Sequence, residues 1–346
     1  MSQMLQEIRQ QPEALERTLA RERRKVEAFK RALAKRRPRL IVLVARGTSD
    51  NAARFGRYLL EIATGIPVTL AAPSIVSLYG VTVDYRETLV VALSQSGEST
   101  DTNLVLERAR EQGALTLGIT NERRSTLAGL AERTFLVHAG REKSVAATKT
   151  YTGQMLMFYL LAYALGGKIG IPDLERLPEA VEGALRLEPE IDALSERYRY
   201  MRHAVVVGRG LNYANAFELS LKLMETCYVV TERFSSADFM HGPIAMVEPS
   251  FPVFAFAPPD VTWPSLGGTL EKLKSLRAEI VAITDSGNRE VEARATRVIR
   301  LPRRLKPWFT PIPYIVPAQL FAAFLAAQKG LNPDHPRTLH KVTLTL

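Results

Sequence analysis

The chain has 346 residues, enough for two domains, and its 46% hydrophobic and 24% charged content is typical of globular proteins. A net charge of +10 would attract anionic ligands, but acidic residues interleave with the basic N-terminal ones, which favours a solvated helix over a nucleic-acid-binding arm. No secretory signal and no apolar run of roughly 18 residues stands out, so we expect no membrane association. The single cysteine excludes an intrachain disulfide and favours a cytoplasmic location. The five histidines lack metal-ligand spacing, so we expect no metal and no cofactor.

Helices and strands alternate along the first half of the chain. Residues 1–37 are predicted to be helical, with Pro12 breaking or restarting the helix. Apolar runs predict strands over 39–44, 67–70, 88–93, 115–119 and 134–137. This alternation is typical of a parallel sheet with helices on both faces, which binds ligands at the carboxyl ends of its strands.

A turn rich in hydroxyl groups follows the strand predicted over 88–93 and leads into a helix predicted over 103–112. This hydroxyl turn (residues 94–102) contains four serines and threonines besides Ser94. Hydroxyls and backbone N–H groups at the positive end of a helix dipole suit a phosphate group. Glu98 and Asp101 are expected to point away from such a phosphate, Asp101 as a helix cap. A turn that only caps the helix would look the same, so both interpretations stay open from the turn alone.

Two further stretches place small and hydroxyl-bearing residues at predicted helix starts. Thr48 and Ser49 follow the first strand, and residues 142–150 lead into a helix ending near Leu165. Such stretches let a backbone approach a ligand closely, and they also suit plain close packing. The region after this helix, 166–197, is interpreted as a linker and one connecting helix over 174–194.

The second half of the chain repeats the first. Gly210 aligns with Gly47 at an offset of 210 − 47 = 163, and Ile283 aligns with Ile119 at 283 − 119 = 164. Opposite the hydroxyl turn, the second copy has prolines at 258–259. Because prolines lack the N–H donors that bind anions, only the first copy is expected to hold a phosphate.

We therefore predict an α/β protein with two tandem copies of one unit. Each is a parallel sheet flanked by helices, a flavodoxin-like or Rossmann-like three-layer sandwich. The predicted divisions are an N-terminal helical segment (1–37), a first domain that binds the phosphate and includes the connecting helix (38–195), a second domain with catalytic residues (196–330) and a C-terminal tail (331–346). The tail is rich in proline, so we expect it to be non-helical and to serve as a lid.

Seven short motifs occur in order along nearly the whole chain, at 47–49, 94–98, 146–152, 208–210, 221–225, 241–243 and 336–341. Together they resemble the sugar isomerase (SIS) family, in particular the isomerase domain of glucosamine-6-phosphate synthase and the SIS-type glucosamine-6-phosphate deaminases. That synthase also has a glutaminase domain with an N-terminal cysteine nucleophile, whereas residue 2 here is Ser2. Glutamine-dependent amination by this chain alone is therefore not expected. Ala147 stands where the family usually has serine, which removes one expected sugar contact.

The resemblance implies a hexose-phosphate substrate and four catalytic residues. Glu225 would move a proton between C1 and C2, and Lys222 would assist electrostatically. His241 would open the sugar ring, entering the site from the partner subunit of a homodimer. Lys341 would form a Schiff base with the open carbonyl. The implied substrate contacts are Thr48, Ser49, Ser94, Gln95, Ser96, Ser99, Val145 and Ala147.

Without the family, plainer interpretations of these residues stay open. Glu225 could be a surface acid paired with Lys222, His241 a loop histidine bonded to backbone, and Lys341 a solvated terminal lysine. The favoured function is glucosamine-6-phosphate deamination with isomerisation, giving fructose 6-phosphate and ammonia. The alternatives are a fructosamine-6-phosphate deglycase or another sugar-phosphate isomerase, and a non-catalytic sugar-phosphate sensor. Known regulators of this family carry a DNA-binding module, for which residues 1–37 are too short and too charged.

Overall fold

The computed structural model describes residues 2–339 and 341, and the described residues form two compact units. The N-proximal unit comprises residues 10–142 and 147–176 together with Leu339 and Lys341, and the C-proximal unit comprises residues up to Arg9, 143–146 and 177–338. Residues 1, 340 and 342–346, which include the end of the predicted tail, lie outside the described residues.

The element bounds are as follows. The strands are β1 (Leu40–Val44), β2 (Val68–Leu70), β3 (Thr88–Leu93), β4 (Leu115–Thr120), β5 (Arg133–Leu136), β6 (His203–Gly208), β7 (Val230–Ser235), β8 (Pro252–Phe256), β9 (Glu279–Asp285) and β10 (Arg297–Leu301). The helices are α1 (Gln3–Arg9), α2 (Gln11–Lys35), α3 (Gly47–Thr64), α4 (Ser74–Ser77), α5 (Thr100–Glu111), α6 (Thr126–Leu130), α7 (Lys149–Ala164), α8 (Ile171–Leu174), α9 (Leu177–Leu185), α10 (Glu188–Glu196), α11 (Tyr213–Cys227), α12 (Ser236–Met240), α13 (Trp263–Ser275) and α14 (Pro311–Gln328). Short 3-10 helices span Gly210–Asn212, Pro243–Met246, Glu290–Ala293 and Pro307–Phe309.

Each unit is built on one parallel five-stranded sheet. The strand order is β2-β1-β3-β4-β5 in the N-proximal unit and, read from its other edge, β7-β6-β8-β9-β10 in the C-proximal unit. Both are the flavodoxin-like 2-1-3-4-5 order, which confirms the predicted α/β fold class and the repeat. Every residue of β3 and of β4 is buried, as expected for central strands covered by helices on both faces.

The predicted restart of the N-terminal helix is confirmed, because α1 ends at Arg9 and α2 begins at Gln11 with Pro12 in its first turn. The predicted single helix over 174–194 is wrong. Three shorter helices, α8 to α10, cover 171–196, and each has a proline within its first two residues. Because proline cannot donate the N–H bond that a continuing helix needs, each of these prolines starts a new helix.

Two helices are buried on nearly all sides and form the centre of their own units. They are α7 in the N-proximal unit, which packs on α2 and α3, and α14 in the C-proximal unit, which packs on α10 and α11. By length and composition α14 could cross a membrane, but 89% of its apolar window is buried inside the structure. That burial is typical of a core helix.

Candidate active site

The hydroxyl turn lies at the carboxyl end of β3 and is fixed by its own hydrogen bonds. The Ser94 Oγ atom accepts a bond from the Gly97 N–H at 3.0 Å, and the Ser96 Oγ atom accepts one from the Glu98 N–H at 3.3 Å. The Gly97 carbonyl accepts a bond from the Asn103 amide in the first turns of α5 at 3.1 Å. The hydroxyl-bearing residues predicted to bind phosphate are therefore held at the start of a helix, with Gln95 among them half-buried.

The two acidic residues of the turn have different partners. The Glu98 carboxylate accepts bonds from the Thr126 N–H at 3.0 Å and from the Thr126 hydroxyl at 2.6 Å, at the start of α6. Asp101 is not the helix cap that the sequence predicted. The residue at the N-cap position of α5 is Ser99, and Asp101 lies in the first helical turn, where its carboxylate is buried against Arg46.

Arg46 and Asp101 join the ends of two neighbouring strands. Strands β1 and β3 pair in parallel, with Val44 opposite Ala92, so the segments that follow them meet at one edge of the sheet. The Arg46 Nε atom lies 2.7 Å from the Asp101 Oδ2 atom, and the Nη2 atom lies 2.5 Å from it. The structure thus places the hydroxyl turn beside the segment that contains Thr48 and Ser49.

Ser49 is buried at the start of α3 and is held by a helix of the same unit. Its Oγ atom accepts a bond of 2.9 Å from the side-chain amide of Gln154 on α7, a glutamine that is itself fully buried. Thr48 is half-buried in the same helical turn. Ser49, one of the two residues predicted on the sugar side, is therefore held in place by a hydrogen bond to α7.

Glu142 is a fully buried carboxylate that holds the tail lysine. Its oxygens accept bonds from the Thr148 N–H at 2.9 Å, from the Thr150 N–H at 3.2 Å and from the Thr150 hydroxyl at 2.6 Å, and they lie 3.2 Å from the Lys341 Nζ atom. Burial alone would raise the pKa of Glu142. The charge of Lys341 and the bonds from the two threonines outweigh burial, so the pKa lies below its ordinary value.

A lysine between two carboxylates occupies the middle of α11 in the C-proximal unit. The Lys222 Nζ atom lies 2.7 Å from the Glu225 Oε2 atom and 3.4 Å from the Glu218 Oε1 atom. Lys222 and Glu218 are completely buried, whereas 21% of the Glu225 side chain is exposed. Glu225 is thus the member of this cluster that a ligand can reach, and its carboxylate is held by a buried cation.

The remaining predicted residues, His241, Val145 and Ala147, make none of the side-chain hydrogen bonds described above. His241 is exposed after α12, and within residues 2–339 and 341 no hydrogen bond or ion pair involves its side chain. The next residue, Gly242, has a φ of +145°, a backbone conformation that glycine adopts readily. Val145 and Ala147 are both half-buried, the first in the C-proximal unit and the second in the N-proximal unit.

Comparison with known proteins identifies the family. The SIS domain matches residues 33–164 and 198–328. The chain belongs to the SIS domain family. This SIS chain is 34% identical over 348 residues to a glutamine–fructose-6-phosphate aminotransferase [isomerizing] from Pyrococcus horikoshii, a match that covers 98% of the chain but 57% of that relative's length.

Two solved structures are also similar. A protein from Silicibacter pomeroyi, assigned as a phosphosugar isomerase, superposes with a TM-score of 0.86 at 32% identity, covering 96% of this chain and 100% of that one. A glucosamine-6-phosphate deaminase from Thermotoga maritima superposes with a TM-score of 0.75 at 21% identity, covering 99% and 100% of the two chains. The second likeness shows a shared fold only.

The sequence analysis missed four residues that surround the predicted ones in this SIS chain. They are Arg46, Glu142, Gln154 and Glu218. Glu218 had a usable signal, since it stands four residues before Lys222 on one helix face. Arg46 and Gln154 had none, because their partners are 55 and 105 residues away along the chain.

Proposed function

We propose that this protein is a phosphosugar isomerase that acts on amino-hexose phosphates, with glucosamine 6-phosphate as the substrate we favour. The hydroxyl turn would bind the phosphate, with Thr48, Ser49, Val145 and Ala147 contacting the sugar. The SIS family and the similarity to an aminotransferase with an isomerizing activity support this substrate class. The deamination itself rests on the resemblance of the motifs and on the chemistry of the residues below.

The reaction needs one proton transfer and one hydrolysis. In the ring-opened sugar a base removes the proton from C2 and returns it to C1, which converts the C2 amine into an imine. Water adds to that imine, and the C–N bond breaks to give fructose 6-phosphate and ammonia. Glu225 would carry the proton, with Lys222 stabilising its charge. His241 would open the ring from a partner subunit. Lys341 would form a Schiff base with the open C1 carbonyl and release water, and water would hydrolyse that Schiff base to restore the carbonyl before the proton is moved.

The observation that carries this proposal is the position of Glu225 beside a completely buried ammonium group. A buried lysine is costly unless its charge is compensated, and here two carboxylates compensate it. A binding protein has no need of this arrangement. It suits a base that exchanges a proton with carbon, because the cation orients the carboxylate and stabilises its ionised form.

The test is turnover by Glu225→Gln over a panel of substrates. Wild-type protein should release ammonia from glucosamine 6-phosphate. The variant should lose about 1,000-fold in kcat, the size of a general-base contribution, while hexose-phosphate affinity changes little. Glu248→Gln is the matched control, because it removes one exposed carboxylate from the same unit. Retained turnover in Glu225→Gln would refute the assigned role.

The same panel separates the alternatives. A fructosamine-6-phosphate deglycase would release the amine from a fructosamine phosphate and leave glucosamine 6-phosphate unchanged. Another isomerase would interconvert unsubstituted hexose phosphates and release no ammonia. A sensor would bind sugar phosphates with no turnover by the wild type. We also propose a cytoplasmic homodimer, which light scattering and cell fractionation would test.

A further inference from the structure

Arg46 brings a positive charge to the edge of the sheet where the hydroxyl turn lies. It follows β1 and stands at the N-cap position of α3, while its partner Asp101 lies in the first turn of α5. The hydroxyl turn contains no lysine or arginine of its own. Arg46 is therefore a cation that the fold brings to this turn from the segment after a neighbouring strand.

The negative charge of Asp101 must be compensated if the hydroxyl turn is to bind an anion. Its carboxylate is 3% exposed, and its Oδ1 atom accepts bonds from the Thr102 N–H at 2.8 Å and from the Ser99 hydroxyl at 3.1 Å. A buried carboxylate so close to Ser99 would repel a phosphate dianion. The Arg46 guanidinium, bonded to the Oδ2 atom, compensates that charge.

The guanidinium has donors beyond those that Asp101 uses. Its Nε and Nη2 atoms bond to Asp101, and the Nη1 atom has no hydrogen-bond partner among the described residues. The side chain is 46% exposed, so a ligand can reach it. A planar guanidinium presents donors on more than one edge, and it can bind a carboxylate on one edge and a phosphate on another.

The second repeat provides an internal comparison. Arg209 precedes Gly210 as Arg46 precedes Gly47, at the same offset of 163 (209 − 46). There, prolines follow the neighbouring strand β8, and Arg209 has no ion pair among residues 2–339 and 341. The arginine–carboxylate pair is thus found in the repeat that has the hydroxyl turn and not in the one that lacks it, so the fold itself does not require the pair.

We propose that Arg46 is a phosphate-binding residue, held on one edge by Asp101 and donating from its Nη1 atom to the phosphate monoester of the substrate. This inference rests on the proposed function for the identity of the sugar phosphate. Arg46 makes the site select phosphorylated over unphosphorylated sugars. It also favours the phosphate dianion over the monoanion, because a second negative charge strengthens its hydrogen bonds.

The experiment measures the affinity for fructose 6-phosphate and for inorganic phosphate by calorimetry. Arg46→Met should weaken both by about 30-fold, as expected for loss of a charged hydrogen bond. Arg46→Lys keeps the positive charge but loses the planar guanidinium, so its affinity should lie between that of Arg46→Met and that of the wild type. Arg86→Met is the matched control, because it removes an exposed arginine that pairs with Asp84 in the same unit, and it should bind as the wild type does.

A double variant separates binding from charge compensation. Arg46→Met/Asp101→Asn removes both charges, so it should stay at least about tenfold weaker than the wild type if Arg46 touches the phosphate. Full recovery of affinity in the double variant would overturn the proposal, since Arg46 would then only neutralise Asp101. Unchanged affinity in Arg46→Met would also overturn it.

The pH dependence of the affinity distinguishes phosphate binding by Arg46 from a purely structural role of this residue. Wild-type affinity should rise between pH 5 and 7 as the phosphate loses its second proton, near a pKa of about 6. Arg46→Met should flatten that rise. Phosphate binding through Arg46 without turnover of any phosphosugar would refute the proposed function and support this inference. Turnover with an unaltered KM in Arg46→Met would support the function and refute the inference.

Discussion

Gly97 in the hydroxyl turn has a φ of +72°, and a Cβ atom there would lie 2.2 Å from the Ser125 Oγ atom. Gly97→Ala therefore combines backbone strain with a steric clash. We expect the variant to weaken fructose 6-phosphate binding by more than about tenfold, because the turn must shift to accept the methyl group. Calorimetric titration measures this loss.

Gly47→Ala separates strain from clash in that experiment. Gly47 also has a positive φ, +54°, but no heavy atom lies within 4 Å of a Cβ built on it. This variant should lose only about 1 kcal/mol of unfolding free energy from backbone strain. If Gly47→Ala weakened fructose 6-phosphate binding as much as Gly97→Ala does, that result would contradict the role we give to the Ser125 contact.

Cys227 is the single thiol of the chain, and it is buried in α11 with its Sγ atom 3.2 Å from the Ala322 carbonyl. Burial raises its pKa to about 11, which leaves almost no thiolate at neutral pH. We expect an aromatic disulfide reagent at pH 7.5 to modify native protein at least about 100-fold more slowly than protein unfolded in guanidinium. Modification of the native protein within minutes would show that this helix opens readily.

The segment that carries Glu142 and the start of α7 should lose stability in acid. Because the folded pKa of Glu142 lies below its ordinary value of 4.5, its stabilising effect is present above that value and is lost as the pH falls through the folded pKa. Glu142→Gln should lower the free energy of unfolding by about 2 kcal/mol at pH 7, and that difference should shrink below pH 4.5. Urea denaturation at several pH values measures it.

Glu122→Gln is the control for this pH dependence, since it removes an exposed carboxylate of the same unit. It should leave the free energy of unfolding unchanged at pH 7. If the difference in unfolding free energy between Glu142→Gln and the wild type grew as the pH fell, that result would contradict the lowered pKa of Glu142 and its ion pair with Lys341.

The elements that sequence patterns predicted well are the buried ones. Strands β3 and β4 are continuous apolar runs, so their bounds follow directly from composition. The sequence analysis did not identify β7, because it is an edge strand in which only Thr231 is buried. The predicted domain boundaries and the lid role of the tail stay predictions.

The candidate site was predictable only where its residues are neighbours in sequence. The hydroxyl turn and the Lys222–Glu225 pair are local patterns, nine and four residues long. The Arg46–Asp101 pair depends on β1 lying next to β3, which is a property of strand order and not of either segment. Sequence spacing alone could not show that the acid of the turn and the arginine after β1 would meet.

Two copies of one fold provide two sheet edges with different chemistry. In the N-proximal unit this edge has hydroxyl groups, helix N-termini and Arg46, whose positive charge is paired with Asp101. In the C-proximal unit two prolines replace that turn, and α11 after β6 carries the buried lysine and its carboxylates. In the proposed function, one copy binds the anion and the other carries the proton-transfer groups, while both copies keep the same strand order.

A homodimer whose two subunits share each active site can be tested with two inactive variants. If His241 acts on the active site of a partner subunit, then Glu225→Gln and His241→Asn damage different sites in a mixed dimer. Each variant alone should have below about 1% of wild-type activity. Differently tagged chains, co-expressed and purified through both tags, would form a heterodimer with one site that has both Glu225 and His241, so it should regain about half of the activity. A heterodimer as inactive as its parents would show that both residues act within one chain, and a monomer in light scattering would rule out the shared site.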